Sequence, residues 1–140
     1  MSEASLPQRF RFPPPVAELI GFELVFAREG ASRMELDVGE RHANPMGTVH
    51  GGILCDLADA AMGTAYASTL VEGESFATLE LKVNFLRPFR TGRIVAEGRL
   101  VSGGRTIGMT ECDLRDEHGR LVARASSTCM TLRGEAARDR

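Results

Sequence analysis

The sequence predicts an α+β fold in which one long central helix is wrapped by a curved antiparallel sheet of five to six strands. Apolar residues from position 53 to 65 recur at intervals of three and four, the spacing of a helix face. From position 78 to 85 the spacing changes to strict alternation, which is typical of a strand. Further runs of about ten residues follow, separated by glycine-containing turns. Because a long sheet of this kind twists and curls, we expect it to enclose the helix.

The length fits a single domain over residues 1–140, with the ends at 1–12 and 133–140 expected to be poorly ordered. Seventeen Lys and Arg against nineteen Asp and Glu give a net charge of −2 without a basic block. This balance predicts neither nucleic acid nor a membrane surface as a partner.

The N-terminus has no apolar signal segment, and the longest uncharged run is too short to cross a bilayer. Cys55, Cys112 and Cys129 show no pairing pattern and fit small buried thiols in a reduced, cytoplasmic protein.

The first half of the chain predicts two helices and two strands. Residues 15–20 follow a proline run and precede Gly21, as in a short helix. Strands are expected at 22–28 and 33–38, joined by a turn at 29–31. A loop with Asn-Pro and glycine then leads into the long helix, which begins at Gly51.

The second half predicts strands joined by hairpins, and consecutive hairpins form an antiparallel meander. Gly103 and Gly104 mark one hairpin turn, and Gly119 can take the positive φ of another. The four strands are expected at 78–85, 93–102, 106–115 and 121–132.

Two aspartates interrupt a helix that is apolar nearly all round, a pattern typical of a buried helix. Asp56 lies within the first two turns, where the helix dipole favours negative charge, so we interpret it as structural. Asp59 lies deeper, where the dipole helps little. Because a buried carboxylate is costly without a partner, Asp59 is the stronger candidate for a functional role.

The spacing Asn44-x2-Gly47-x2-His50-Gly51-Gly52-x6-Asp59, followed by a strand that reads L-K-V-N-F-L-R-P, resembles the hotdog superfamily. More closely, it resembles acyl-CoA thioesterases of the phenylacetate-pathway type. The later G-R-T segment strengthens the resemblance, which covers residues 15–132.

The resemblance implies homodimers with a continuous sheet, often paired into tetramers, and an active site at the dimer interface. On the matching positions, the carboxylate of Asp59 attacks the thioester or activates water, and the Gly51 N–H polarises the carbonyl. Asn44 and His50 lie beside it, and Thr78 of the partner subunit lies near the water. No cofactor is implied beyond the coenzyme A of the substrate.

Physical chemistry agrees with these roles but leaves alternatives open. Unsatisfied N–H groups at a helix N-terminus suit a developing negative charge, and Gly51 and Gly52 let a substrate approach the backbone. The two glycines could equally form a turn without a ligand. His50 could hold backbone groups in place, and Asn44 could close an Asx-turn.

Further candidates concern coenzyme A, the acyl group and metals. Arg87, Arg90, Gly104 and Arg105 could contact the phosphates of coenzyme A, or could be turn and surface residues. A mostly apolar acyl pocket is expected from Met46, Met62, Tyr66 and Phe76. No metal-ligand spacing and no nucleophile-elbow motif occurs.

Three functions therefore follow from the sequence. The first is hydrolysis of an acyl-CoA to a carboxylic acid and free coenzyme A. The second is an enoyl-CoA hydratase on the same fold, in which His50 would act with Asp59. The third is a protein that binds acyl-CoA without turning it over.

Overall fold

The chain forms one seven-stranded sheet and one long helix, and the computed structural model describes residues 3–140. Residues 1 and 2, the start of the segment expected to be poorly ordered, lie outside the described residues. The predicted α+β class is confirmed. The elements in chain order are β1 (Glu3–Ala4), α1 (Pro15–Ile20), β2 (Phe22–Arg28), β3 (Ala31–Val38), a 3₁₀ turn (Glu40–His42), α2 (Gly51–Ala67), β4 (Ser75–Phe85), β5 (Gly92–Gly103), β6 (Ile107–Arg115), β7 (Leu121–Leu132) and a second 3₁₀ turn (Gly134–Ala137).

The strand order across the sheet is β1-β2-β3-β5-β6-β7-β4, and within residues 3–140 only the short β1 runs parallel to its neighbour. Strands β5, β6 and β7 form the predicted meander. The meander prediction is wrong for β4, which pairs with β7 at the far edge and not with β5. The connection after β4 contains Pro88, and its Phe89 carbonyl accepts a hydrogen bond from the Val49 N–H (2.7 Å). The chain therefore passes the start of α2 instead of closing a hairpin.

The buried face of α2 packs into the curve of the sheet. Leu57, Ala58, Ala61 and Met62 are completely inaccessible to solvent. A Cβ at Gly98 of β5 would lie 2.5 Å from the Ala61 carbonyl oxygen, so only glycine allows the helix to come this close. The helix is thereby fixed against the middle of the sheet.

A segment that we call the strap, residues 6–14, runs along α2 and leads into α1. The Gln8 N–H donates to the Glu72 side chain (3.0 Å). The ring of Phe10 lies 5.8 Å from that of Phe76, and the ring of Phe12 lies 6.4 Å from that of Phe22. The strap therefore has defined contacts with the rest of the chain. The poor ordering expected at residues 1–12 and 133–140 stays a prediction.

The cysteines differ in their surroundings. Cys112 and Cys129 are buried as expected, but Cys55 on α2 is only half-buried because the sheet covers one side of the helix. Burial raises the pKa of the Cys112 thiol to about 12, with a further contribution from the charge of Asp113. Within residues 3–140, no helix combines the length and hydropathy needed to cross a membrane.

Candidate active site

The side of α2 that faces away from the sheet is open in the single chain. Asp56 and Asp59 are exposed on this side, and Ala60 is half-buried. The helix is therefore not buried all round within the single chain, because one curved sheet covers only part of the helix circumference. The small and acidic residues belong to an open surface.

Asp59 has a hydrogen-bond partner in its own chain. The Thr78 hydroxyl, on β4, donates to Asp59 Oδ1 at 3.5 Å. This corrects the expectation that Thr78 of the partner subunit approaches Asp59. Strand β4 pairs with β7 beside α2 and so brings Thr78 directly against the helix of the same chain.

The surroundings of Asp59 disfavour its charge. Burial of the carboxyl group raises the pKa of Asp59, the hydrogen bond from Thr78 partly offsets this, and the negative charge of Asp56 raises it again. The residue keeps solvent access, so the open cleft supplies water while the packed cleft walls desolvate the carboxyl group. A carboxylate with a raised pKa and access to water suits general-base or nucleophilic chemistry.

A cleft of about 440 Å³ lies between the open side of α2, strand β4 and the strap. Asp56, Asp59 and Thr78 form its polar end. Most of the remaining wall is apolar. The lining residues of that wall include Leu6, Phe10, Phe12, Phe22, Ala60, Gly63 and Phe76.

The Gly51 N–H at the N-terminus of α2 is a free backbone donor. The Gly52 N–H donates to His50 Nδ1 (3.0 Å), and the Ile53 N–H donates to the His50 carbonyl (3.0 Å). The His50 N–H donates to the His42 carbonyl (2.8 Å). Among residues 3–140, the Gly51 N–H has no hydrogen-bond partner. The first turn therefore presents an unsatisfied donor at the residue predicted to polarise a carbonyl.

His50 and Asn44 shape the loop that precedes this donor. His50 caps the helix through Nδ1. Asn44 Oδ1 accepts from the N–H groups of Met46 (2.9 Å) and Thr48 (3.1 Å), and its Nδ2 donates to the Thr48 hydroxyl (2.8 Å). These contacts support the Asx-turn interpretation of Asn44. Contact of either residue with a substrate stays a prediction.

The four candidates for phosphate binding separate into two groups. Arg87 lines a second cleft together with Gly51, and Arg90 lies over the preceding turn, where it donates to the Gly47 carbonyl (3.4 Å). Gly104 and Arg105 instead lie near the C-terminal end of α2. Only the two arginines therefore lie near the free N–H of their own chain.

Of the four residues predicted to line an acyl pocket, only Phe76 lines the Asp59 cleft of the single chain. Phe76 lines the Asp59 cleft, but Met62 is completely buried in the core and Met46 is 73% exposed on the loop. Tyr66 is buried, and its hydroxyl lies 2.7 Å from that of Thr131. Sequence reasoning missed the strap, although the alternation Arg9-Phe10-Arg11-Phe12 could have indicated an extended segment with one apolar face.

No group of three or more His, Cys, Asp or Glu side chains is arranged to hold a metal ion within residues 3–140. His42, one of the two loop histidines, is buried. Its Nδ1 accepts from the Gly39 N–H (3.0 Å) and its Nε2 donates to the Ile20 carbonyl (2.7 Å), so both ring nitrogens serve the fold.

Comparison with known proteins agrees with this geometry. The thioesterase superfamily model matches residues 46–123. The chain is 30% identical to human acyl-coenzyme A thioesterase 13 over 107 residues, 75% of this chain and 76% of the relative. A thioesterase structure from Haemophilus influenzae has a TM-score of 0.81 at 26% identity, covering 86% of this chain and 85% of that one.

A phenylacetic acid degradation-related protein from Ralstonia eutropha JMP134 has a TM-score of 0.76 at 32% identity, covering 87% of this chain and 94% of that structure. Its description agrees with the resemblance inferred from the residues around Gly51 and Asp59. The chain therefore belongs to the thioesterase superfamily and has the hotdog fold.

Proposed function

We propose that this protein is an acyl-CoA thioesterase that releases a carboxylic acid and free coenzyme A. The observation that carries the proposal is the Asp59 carboxylate, hydrogen-bonded by Thr78 at the polar end of an otherwise apolar cleft. The name of the human relative supports coenzyme A esters as the substrates.

Two chemical routes are open to Asp59. In the first, its carboxylate takes a proton from water, and the resulting hydroxide adds to the thioester carbon. In the second, a carboxylate oxygen attacks that carbon, the coenzyme A thiolate leaves, and water hydrolyses the mixed anhydride. In both, the carbonyl oxygen becomes negative and accepts a hydrogen bond from the Gly51 N–H, and the thiolate leaves and takes up a proton.

The helix geometry supports a site shared between two chains. Gly51 and Asp59 are eight residues apart on α2, or about 12 Å along the axis. A carbonyl bound at its oxygen and attacked at its carbon by the carboxylate itself bridges about 8 Å, and a water between the carboxylate and the carbon extends this to about 11 Å. The two residues also line different clefts. We infer that Asp59 and Thr78 of one chain act with Gly51 and its loop from a second chain, which revises the expected division of the site.

The edge of the sheet offers a surface for this second chain. Strand β4 has eleven residues and within the described chain pairs only with β7. Leu79, Phe85 and Leu86 are more than half exposed along this edge. A long apolar edge is a template for pairing with another strand, so we propose a homodimer in which β4 pairs with its own copy. The tetramer stays a prediction.

The proposal is tested by measuring thiol release from a panel of acyl-CoA esters. We expect hydrolysis by the wild-type protein and loss of most turnover in Asp59→Asn. Failure of the wild-type protein to release thiol from every ester would reject the proposal.

No observation favours the hydratase alternative. His50 Nδ1 already accepts a hydrogen bond from the Gly52 N–H (3.0 Å), so this ring nitrogen caps the helix. Hydration of a crotonyl ester without thiol release would establish that alternative, and tight binding without either reaction would establish a binding protein.

A further inference from the structure

The cleft beside Asp59 extends well beyond the reacting groups, and its two walls run in the same direction. On α2, Gly63 follows Asp59 by one turn, about 6 Å along the axis. On β4, Phe76 lies two residues from Thr78 and on the same face, a similar distance away. A substrate whose carbonyl carbon lies at Asp59 and Thr78 therefore extends its remaining atoms over Gly63 and Phe76.

The strap closes this apolar end. A Cβ at Gly63 would lie 3.2 Å from the Phe76 ring, so that ring lies directly on the helix. The Phe10 ring packs on the same ring from the strap, at a centroid distance of 5.8 Å. Phe10 and Phe76 are both half-buried, which leaves part of each ring available to a ligand.

The chemistry of this end selects an uncharged apolar group. Beyond the two carboxylates and the threonines, the side chains of the cleft are hydrocarbon, except for the exposed guanidinium groups of Arg9 and Arg11. Burial of hydrocarbon against such walls is favourable, whereas a charged acyl terminus would lose its hydration without a buried partner.

We propose that the strap forms the end wall of the acyl subsite and that Phe10 determines how long an apolar acyl group the cleft accepts. This inference rests on the proposed thioesterase function. Phe10 acts on specificity and takes no part in the chemical step, because its hydrocarbon ring, which packs on Phe76, can neither donate nor accept a proton.

The test is the chain-length profile of kcat/KM for straight-chain acyl-CoA esters from acetyl to dodecanoyl. Phe10→Ala removes the wall, so the ratio of long-chain to short-chain kcat/KM should rise about ten-fold or more. Gly63→Ala adds a methyl group against Phe76 and narrows the cleft, so the same ratio should fall.

Phe26→Ala is the matched control, because that ring lies under the Arg28 guanidinium (4.9 Å) and does not line the cleft, so its profile should match wild type. An unchanged profile in a Phe10→Ala enzyme that still turns over would overturn the inference alone. If Phe10→Ala does not fold, an unchanged chain-length profile in Gly63→Ala would overturn the inference. Absence of turnover of every ester by the wild-type protein would reject the proposed function, and this inference with it.

Discussion

The two sides of helix α2 differ in burial and in chemistry. The side against the sheet is continuous hydrocarbon, with Leu57 and Met62 fully buried. The open side carries Asp56 and Asp59, which are exposed, and small residues such as Ala60. The buried side stabilises the helix by removing apolar surface from water. The stability of the helix therefore does not depend on its open side, and the open side can hold groups that are unfavourable for folding.

The largest effect is expected at Asp59 on the open side. Asp59→Asn keeps the side-chain size and removes the base, so kcat/KM should fall by roughly 10²–10⁴-fold. Stability should change in the opposite direction. The pKa of Asp59 is higher in the folded protein than in the unfolded chain. The free energy of unfolding of the wild-type protein therefore falls as the pH rises from the ordinary Asp pKa to the folded pKa.

Asp59→Asn should therefore be at least as stable as wild type at neutral pH. The difference in stability should vanish in acid below the ordinary Asp pKa, where Asp59 is protonated in both the folded and the unfolded wild-type protein. Steady-state kinetics and thermal unfolding at both pH values check the two effects. Full activity in Asp59→Asn would reject its catalytic role.

The buried side should respond in the reverse manner. Leu57→Ala removes a side chain with no solvent access, so the free energy of unfolding should fall by about 2–5 kcal/mol. Below the unfolding transition, kcat should stay near wild type. Urea unfolding measures the stability, and Leu19→Ala on α1, at a residue that is 76% exposed, should change it by less than about 0.5 kcal/mol. Equal losses in the two variants would contradict the account.

Thr78→Val sharpens the comparison at the open side. It removes the hydroxyl that donates to Asp59, so turnover should fall about ten-fold. Because that hydrogen bond lowers the pKa of Asp59, its loss should move the acidic limb of the pH–rate profile to higher pH. A profile unchanged in both height and position would show that Thr78 does not act on Asp59.

The smallest effect is expected at Asp56. Its negative charge raises the pKa of Asp59, so Asp56→Asn should move the acidic limb of the profile to lower pH while leaving the plateau near wild type. Added salt should reduce the difference between the two enzymes, because it screens charges that both contact water. A plateau reduced as much as in Asp59→Asn would show that Asp56 also takes part in the reaction.

The sequence predicted the two helices and the six strands β2–β7 because each has a local signal, whereas β1, a strand of two residues, was missed. The period of the apolar residues located α2, and glycine placed the turn at Gly119, where φ is +78°. The position of β4 in the sheet was missed because β4 pairs with β7, a strand that is distant in the chain, and no local pattern indicates that pairing. Local pattern therefore determines the strands, and long-range packing determines their order.

The candidate site shows the same division. The residues around Gly51 and Asp59 were found from their spacing. The ownership of Thr78 was assigned to the wrong chain, because the contact depends on β4 packing beside α2. The strap was missed because its phenylalanines become a cleft wall only after tertiary contacts with Phe76 and Phe22 form.

The central claim, that Asp59 and Gly51 act together from different chains, is tested most directly by mixing subunits. Gly51→Pro removes the free N–H at a helix position that tolerates proline. Gly51→Ala is its control, because it keeps the N–H but meets the same Phe85 ring, 2.9 Å from a Cβ at this position. Gly51→Pro and Asp59→Ala should each be inactive alone. After joint unfolding and refolding, half of the dimers are mixed and one of their two sites is intact, which predicts about a quarter of wild-type activity.

Asp59→Ala mixed with Thr78→Arg should recover nothing, because both lesions belong to the same half of the site. Recovery by this second pair, or none by the first when mass spectrometry shows random mixing, would contradict the account.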